Sequence, residues 1–354
     1  MKKIGTRLLL LSLASFLFAG CIFSDMETGR ADVSVTLSLR VDVTNLPVCT
    51  PSTRGYEDPE SDGEKMQNLR IIIVRPNGTI EHNKFIDLTS PSMTAEHKFE
   101  VAGNEEKTVW LVANESNPAV KFNFASLTPG NIVAGSVLED QLIQFNSDSE
   151  TIPFPLPMTS VTKVNVPGED CSENLQIVRA ATKFTYIIDN NTSSPLYLSK
   201  LKISKGARKE YLFPRITSSS SWGDYTDGGT TVTVPDGMLI ENYEVPMVGN
   251  NEYYEFQKDC SISVAAGSEV KIDPFFLLEG KYTDGNSGGK NYSTTLTING
   301  LDYFKDLPDL SQLPRNTHAV VRATFSKNNI DLTVSVTVEV LPYGEVILEP
   351  GFGQ

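Results

Sequence analysis

The sequence predicts an all-β protein made of β-sandwich domains. Three observations carry that expectation. Helical periodicity is nearly absent, two long segments near the ends of the chain alternate apolar and polar residues, and many short β-rich runs with turns between them fill the interval. At 354 residues and 40% apolar content, the chain has the length for two domains, or for one large β-domain, and enough apolar material for packed cores. Its formal charge of −14 argues against nucleic acid or an anionic membrane surface as a partner and fits an acidic, soluble exterior.

The first element is an export signal. In "MKKIGTRLLLLSLASFLFAGC" the basic residues Lys2, Lys3 and Arg7 precede an apolar run from Leu8 to Phe18. That run is shorter than the ~20 residues a bilayer-spanning helix needs, so it reads as a secretory signal peptide. Its ending, Phe18-Ala19-Gly20-Cys21, resembles a bacterial lipoprotein box, in which Cys21 is lipidated and becomes the first residue after cleavage; phenylalanine stands where such boxes usually carry leucine. Without residues 1–21 the chain keeps 27 basic and 44 acidic residues, a formal −17. Cys49, Cys171 and Cys260 remain; they form no C-x-x-C and their odd number leaves any disulfide pairing open.

Strands follow in order. From Asp32 to Thr44, Val33, Val35, Leu37, Leu39, Val41 and Val43 alternate with Ser34, Thr36, Ser38, Arg40 and Asp42, the period of a strand with one buried face. A polar, acidic stretch, "NLPVCTPSTRGYEDPESDGEKMQ" (45–67), then interrupts the β pattern, with Arg54-Gly55 near its middle. "NLRIIIVRPNGTIEHNKFIDL" (68–88) reads as a hairpin around a "PNG" turn. "HKFEVAGNEEKTVWLVANES" (97–116) repeats that form, and its last strand, Thr108–Ala113, is apolar on both faces and so expected at the centre of a sheet. "AGSVLEDQLIQF" suggests a short helix, and the proline-rich "TIPFPLPMTS" a connection or edge. "VPGEDCSEN" (166–174) reads as an interdomain linker. "LQIVRAATKFTYIIDNN" opens a second β-rich region that runs through Leu198–Ser204, "TTVTVP", "SISVAAGSEVKIDPFFLLEGKY" and "YSTTLTI" to a long alternating strand over residues 330–340 and the tail "EVILEPGFGQ".

Catalytic and metal-binding patterns are missing. His82, His97 and His318 fall in different segments without ligand spacing. "DGNSGGK" (284–290) has Asp284 where a phosphate loop needs its first glycine and Asn291 after Lys290 instead of Ser or Thr, so it reads as a loop between strands. "SSSSWGDYTDGG" (218–229) sets Trp222 and Tyr225 among small polar residues, suited to sugar stacking or an adaptable contact, and Asp224 and Asp227 lack a complete calcium loop; a hairpin tip is the simpler reading. The chain is read as a non-enzyme with no cofactor and no metal.

Several segments together resemble the fimbrillins, or type V pilins, of Bacteroidetes-type outer membranes: the lipoprotein cysteine, "ADVSVTLSL", "NLRIIIVRPNG", "KTVWLVANES", "IVRAATKFTYII", "LPRNTHAVVRATF" and "VEVLPYGEVILEPGFG". The resemblance implies two transthyretin-like β-sandwich domains in tandem after a lipoprotein signal peptide. It implies residues 1–20 as signal, 21–54 as a propeptide carrying a removable first strand, 55–172 as the N-terminal domain and 173–354 as the C-terminal domain. An arginine-specific protease would cut between Arg54 and Gly55, and the vacated groove would accept a strand from the next subunit, with Val346, Leu348 and Phe352 as donor candidates. Other fimbrial subunits, the outer membrane (through the precursor's lipid) and a host or bacterial surface ligand are the implied partners. Physics supports the same idea: six apolar side chains buried from one strand contribute about 9–18 kcal/mol gross, an upper bound, and a groove stripped of them demands a replacement strand. The rival expectations are a tip adhesin, a lipid-retaining anchor that keeps its first strand, and a surface glycan-binding lipoprotein using the Trp222 loop.

Overall fold

A computed structural model describes residues 33–43, 61–214, 225–227, 230–232, 254–281, 292–307, 312–313, 315–328 and 331–342. The first half is built from β1 (Ser34–Val43), β2 (Met66–Val74), β3 (Ile80–Ser92), β4 (Thr94–Ala102) and β5 (Glu105–Ala113), followed by the short helix α1 (Gly135–Glu139), β6 (Leu142–Gln144), β7 (Met158–Val166) and β8 (Cys171–Arg179). Hydrogen bonding runs in the order β3-β2-β5-β7-β8-β1-β4. β7 and β8 pair only at Met158↔Arg179 and Thr159↔Val178. Beyond that corner they separate, so β3-β2-β5-β7 and β8-β1-β4 form two layers. One core lies between them, with Leu37, Ile71, Phe99, Leu111, Val164 and Ile177 contributed by six different strands.

The expected "PNG" hairpin is β2–β3, and Gly78 turns it at a φ of +83°, a conformation glycine adopts without penalty. β5 lies between β2 and β7, as its two apolar faces predict. Val109 and Leu111 enter the core between the layers. Trp110 and Val112 point the other way, into a second core under the connection from Asn114 to Pro157, where Trp110 meets Phe213 edge-on at 4.8 Å.

Two expectations need correction. The segment 97–116 is not a hairpin: β4 pairs with β1, whereas β5 pairs with β2 and β7, and Gly103-Asn104 carries the chain across to the opposite layer. A strand apolar on both faces belongs in the covered sheet, which β4 at the margin cannot offer. The segment 166–174 is not an interdomain linker, because it joins β7 to β8 within the first sandwich, and the boundary drawn at 172/173 falls inside β8.

The second half begins only two residues after β8. It comprises β9 (Thr182–Asn191), β10 (Leu196–Gly206), the short strands β11 (Lys209–Tyr211), β12 (Tyr225–Asp227) and β13 (Thr230–Val232), then β14 (Tyr254–Val264), β15 (Ser268–Leu277), β16 (Gly280–Lys281), β17 (Ser293–Ile298), β18 (Leu301–Asp306), β19 (Gln312–Leu313), β20 (Thr317–Asn328) and β21 (Asp331–Pro342). Sheets β14-β10-β17-β18 and β15-β9-β20-β21 close on a core that includes Phe184, Tyr186, Leu201, Phe256, Leu296 and Phe325. The long C-terminal strand expected from its alternation is β21. It pairs with β20 from Thr317↔Pro342 to Asn328↔Asp331 and lies at the margin of its sheet. The two halves repeat one arrangement: β1 lies between antiparallel β4 and parallel β8, and β9 between antiparallel β15 and parallel β20.

Buried charges join the halves. Arg179, at the end of β8, donates from Nε to the Glu64 carbonyl at 2.9 Å and from its terminal nitrogen to Asn316 Oδ1 at 3.1 Å. Arg315 reaches Glu279 at 2.6 Å, the Tyr211 and Leu212 carbonyls at 2.5 and 3.0 Å, and Thr159 Oγ1 of β7 at 3.3 Å. Glu210 accepts from the Glu279 amide at 2.7 Å. Burial, then the neighbouring Glu279, pushes the Glu210 carboxyl well above the ordinary range, and burial also raises Glu279 against the pull of Arg315. One guanidinium thus serves two buried carboxyls. Arg315→Met should destabilise the protein by about 3–5 kcal/mol, the usual consequence of orphaning a buried charge. Adding Glu279→Gln should recover part of that loss, read as the shift in urea midpoint of the single and double variants.

Candidate functional site: the first strand and its slot

β1 is hydrogen-bonded along both edges. It runs antiparallel to β4 from Ser34↔Ala102 to Asp42↔Thr94 and parallel to β8 from Leu37↔Cys171 to Val43↔Ile177. Two further backbone bonds extend the seam, from the Gly103 amide to the Val33 carbonyl at 2.7 Å and from the Val43 amide to the Met93 carbonyl at 2.8 Å. Val35, Leu37, Leu39, Val41 and Val43 are each at most 3% exposed. Val33 is not part of this face: it stands 42% exposed, beyond the last β4 partner, where no wall covers it. Five buried side chains contribute about 8–15 kcal/mol gross, again an upper bound.

The slot has a layered wall. Val35 faces Val101, Leu37 sits between Phe99 and Cys171, Leu39 between His97 and Glu173, and Val41 between Ala95 and Leu175. The outward face is held by exposed polar contacts: the Asp170 carboxylate accepts from the Thr36 amide at 2.8 Å, and Arg40 meets Asp42 at 3.1 Å and Glu96 at 3.2 Å. Such surface pairs contribute little, so the apolar inner face and the two backbone ladders dominate the hold on β1.

A charge cluster closes the Ala102 end of the slot. Fully buried Lys107 donates to Glu81 at 2.5 Å and Glu105 at 2.6 Å, Arg75 meets Glu105 at 2.9 Å, and Glu81 accepts from the Ala102 amide at 2.6 Å. Burial pushes the Glu105 carboxyl up, but hydrogen bonds from Arg75 and Lys107 outweigh it and leave the group below its ordinary range. Sequence reasoning missed this cluster. Its signal was Glu105 and Lys107 sharing the alternation of the core-facing Val109 and Leu111, while Glu81 is brought in by the bulge in the β2–β3 pairing. Next to it, a Cβ on Gly103 would lie 2.6 Å from the Pro167 carbonyl, so β1's entry tolerates no side chain there.

Other predicted residues divide plainly. Cys21, Cys49, Arg54, Gly55, Trp222, Asp224, the loop 284–290, and Val346, Leu348 and Phe352 lie outside the described residues. Cys171 and Cys260 are free, half-buried thiols, each raised by burial. His82 and His97, from different strands, converge on Phe99, with ring centroids 5.1 and 4.8 Å away. His318 is buried with Nε2 2.8 Å from Thr185 Oγ1. Among the described residues no group of three His, Cys, Asp or Glu side chains is arranged to hold a metal.

No family model and no curated protein matches the sequence, but solved structures match the fold. A candidate cell adhesion protein from Parabacteroides distasonis superposes with a TM-score of 0.59 at 15% identity, covering 89% of this chain and 99% of that one. The tip fimbrial protein Mfa3 from Porphyromonas gingivalis, in a C-terminally truncated form, superposes at 0.52 and 11% identity over 88% and 100%. The fimbrilin FimA from Porphyromonas gingivalis does so at 0.51 and 14% identity over 88% and 98%. The chain shares their all-β fold.

The slot's energetics give a direct prediction. Leu37→Ala, which truncates a fully buried side chain beside Phe99, should cost about 2–5 kcal/mol, whereas Arg40→Ala on the exposed side of the same strand should leave stability nearly unchanged. Chemical denaturation of the two variants measures the contrast.

Proposed function

We propose that the chain is a structural subunit of a cell-surface fimbrium, delivered as a lipoprotein through Cys21, cleaved after Arg54 and polymerised by strand exchange, with a role in adhesion and biofilm formation. The observation that carries this reading is the placement of β1. It fills the middle of a three-stranded layer, with both edges paired and one face buried, yet it is joined to β2 only through residues 44–65, where Arg54 stands. β9, its counterpart in the second half, is tied to β8 through only two residues, the buried Ala180 and Ala181.

Cleavage at Arg54 turns β1 into a separate peptide held by noncovalent contacts alone. Its departure leaves β4 and β8 with unpaired backbone groups and an apolar trough, a state that favours capture of another strand. A donor from a second copy would make a heterologous contact between different surfaces, which propagates as a filament instead of closing. The C-terminal tail supplies candidates in Val346, Leu348 and Phe352, following the marginal strand β21. The fold it shares with fimbrial proteins supports this reading, and other fimbrial subunits, an arginine-specific protease and the outer membrane are the partners it implies. A stalk subunit is preferred over a tip adhesin or an anchor, because only a stalk subunit needs both a slot and a donor.

Arg54→Ala should keep β1 seated, so that subunits reach the surface and do not polymerise; normal ladders on unheated, non-reducing gels would contradict the assigned cleavage site. Deleting residues 345–354 should abolish filaments while leaving a folded monomer. Made in the uncleaved Arg54→Ala form, the same deletion should leave the thermal midpoint nearly unchanged. A large drop there would place the tail in its own domain and turn the assignment towards a tip or an anchor.

A further inference from the structure

The middle layer of the slot differs from its neighbours. Leu39 stands in direct register with an imidazole, His97, on β4 and with a carboxylate, Glu173, on β8, while the adjoining β4 positions are Phe99 and Ala95. His97 is half-buried and meets Phe99 edge-on. On β3, His82 and Lys84 alternate onto the face that packs against β4, and His82 leans on the same Phe99 ring while its Nε2 donates to the Glu100 carbonyl at 2.7 Å. The groups facing His97 are therefore His82 and Lys84 from β3, apolar Leu39 from β1, and Glu173 from β8, which lies two strand spacings away, about 10 Å. The Glu81–Lys107–Glu105 cluster sits farther along, beside Ala102, and is paired internally.

We propose that protonation of His97 loosens β1 in its slot, so that retention of the first strand and its exchange for another depend on pH. This deepens the reading of β1 as a removable strand and rests on it. A neutral imidazole fits beside Leu39 in its own layer and Phe99 in the next. An imidazolium there lies close to two basic side chains and far from the one facing carboxylate. Burial first, then Lys84 and His82, holds His97 below its ordinary value of 6.5. The stability it confers is thus present above that ordinary value and is lost as pH falls below it through the lowered one. An open slot, which relieves the burial, binds the proton more readily. A single proton changes retention by up to about tenfold per pH unit.

The test follows release of the β1 peptide from precursor nicked after Arg54, by size exclusion and mass, between about pH 8 and pH 5, the range over which an imidazole changes charge. Release should accelerate towards the acid end. His97→Phe should flatten that dependence, and His97→Lys should release β1 quickly even at the alkaline end. The uncut precursor carries a second readout: its thermal midpoint should fall less steeply with acidification in His97→Phe than in the unaltered chain. Equal pH dependence in the two, or tighter retention at low pH through attraction to Glu173, would overturn the proposal. If β1 never leaves the nicked protein, the removable-strand reading fails, while the midpoints of the uncut chain still decide the role of His97.

Discussion

The pairing of β1 along both edges is the constraint on which the first sandwich depends. β8 pairs with β7 at two residue pairs only, and among the described strands β4 forms a ladder with β1 alone, so without β1 the second layer has no continuous ladder. One strand therefore supplies the middle of a layer, one wall of a core and the partners for two otherwise unsatisfied edges. Backbone groups at an open sheet edge are costly when buried and adhesive when exposed.

The same arrangement in the second half has a different meaning because of connectivity. β9 stands between β15 and β20 as β1 stands between β4 and β8, but it continues directly from β8. Its two-residue tether is buried, and the junction around it is locked by Arg179 and Arg315, which hold parts of both halves through charge-assisted hydrogen bonds. The second sandwich is thereby built to stay closed. In both halves, strands far apart in the chain are joined by parallel pairing, a non-local contact that carries a larger loop-closure cost than a hairpin.

Charged and imidazole side chains mark two levels of the slot. Lys107 with its two carboxylates closes one end, and the His97–Leu39–Glu173 layer lies near the middle. The end cluster satisfies its charges internally and orients the layers. The middle layer balances a half-buried imidazole against basic neighbours. Between them the β4 wall carries Phe99 and Val101, which stand in register with Leu37 and Val35 of β1.

The sequence by itself determined the all-β class, the alternation that makes β1 and β21, the "PNG" hairpin and the central place of β5, because each follows from a local period and from which faces are apolar. Only the tertiary structure decided which strands pair. Strand period cannot distinguish a hairpin from a step between layers, which is why 97–116 misled and why β8 fell on the wrong side of the boundary. Val33 continues the alternation and is nonetheless exposed, since burial needs a facing wall and the wall ends at Ala102. His82 and His97 lie fifteen positions apart and became neighbours only through the packing of β3 against β4 on Phe99. Local chemistry is written along the chain, but the identity of a residue's neighbours across a sheet depends on register, and register is settled when the layers close.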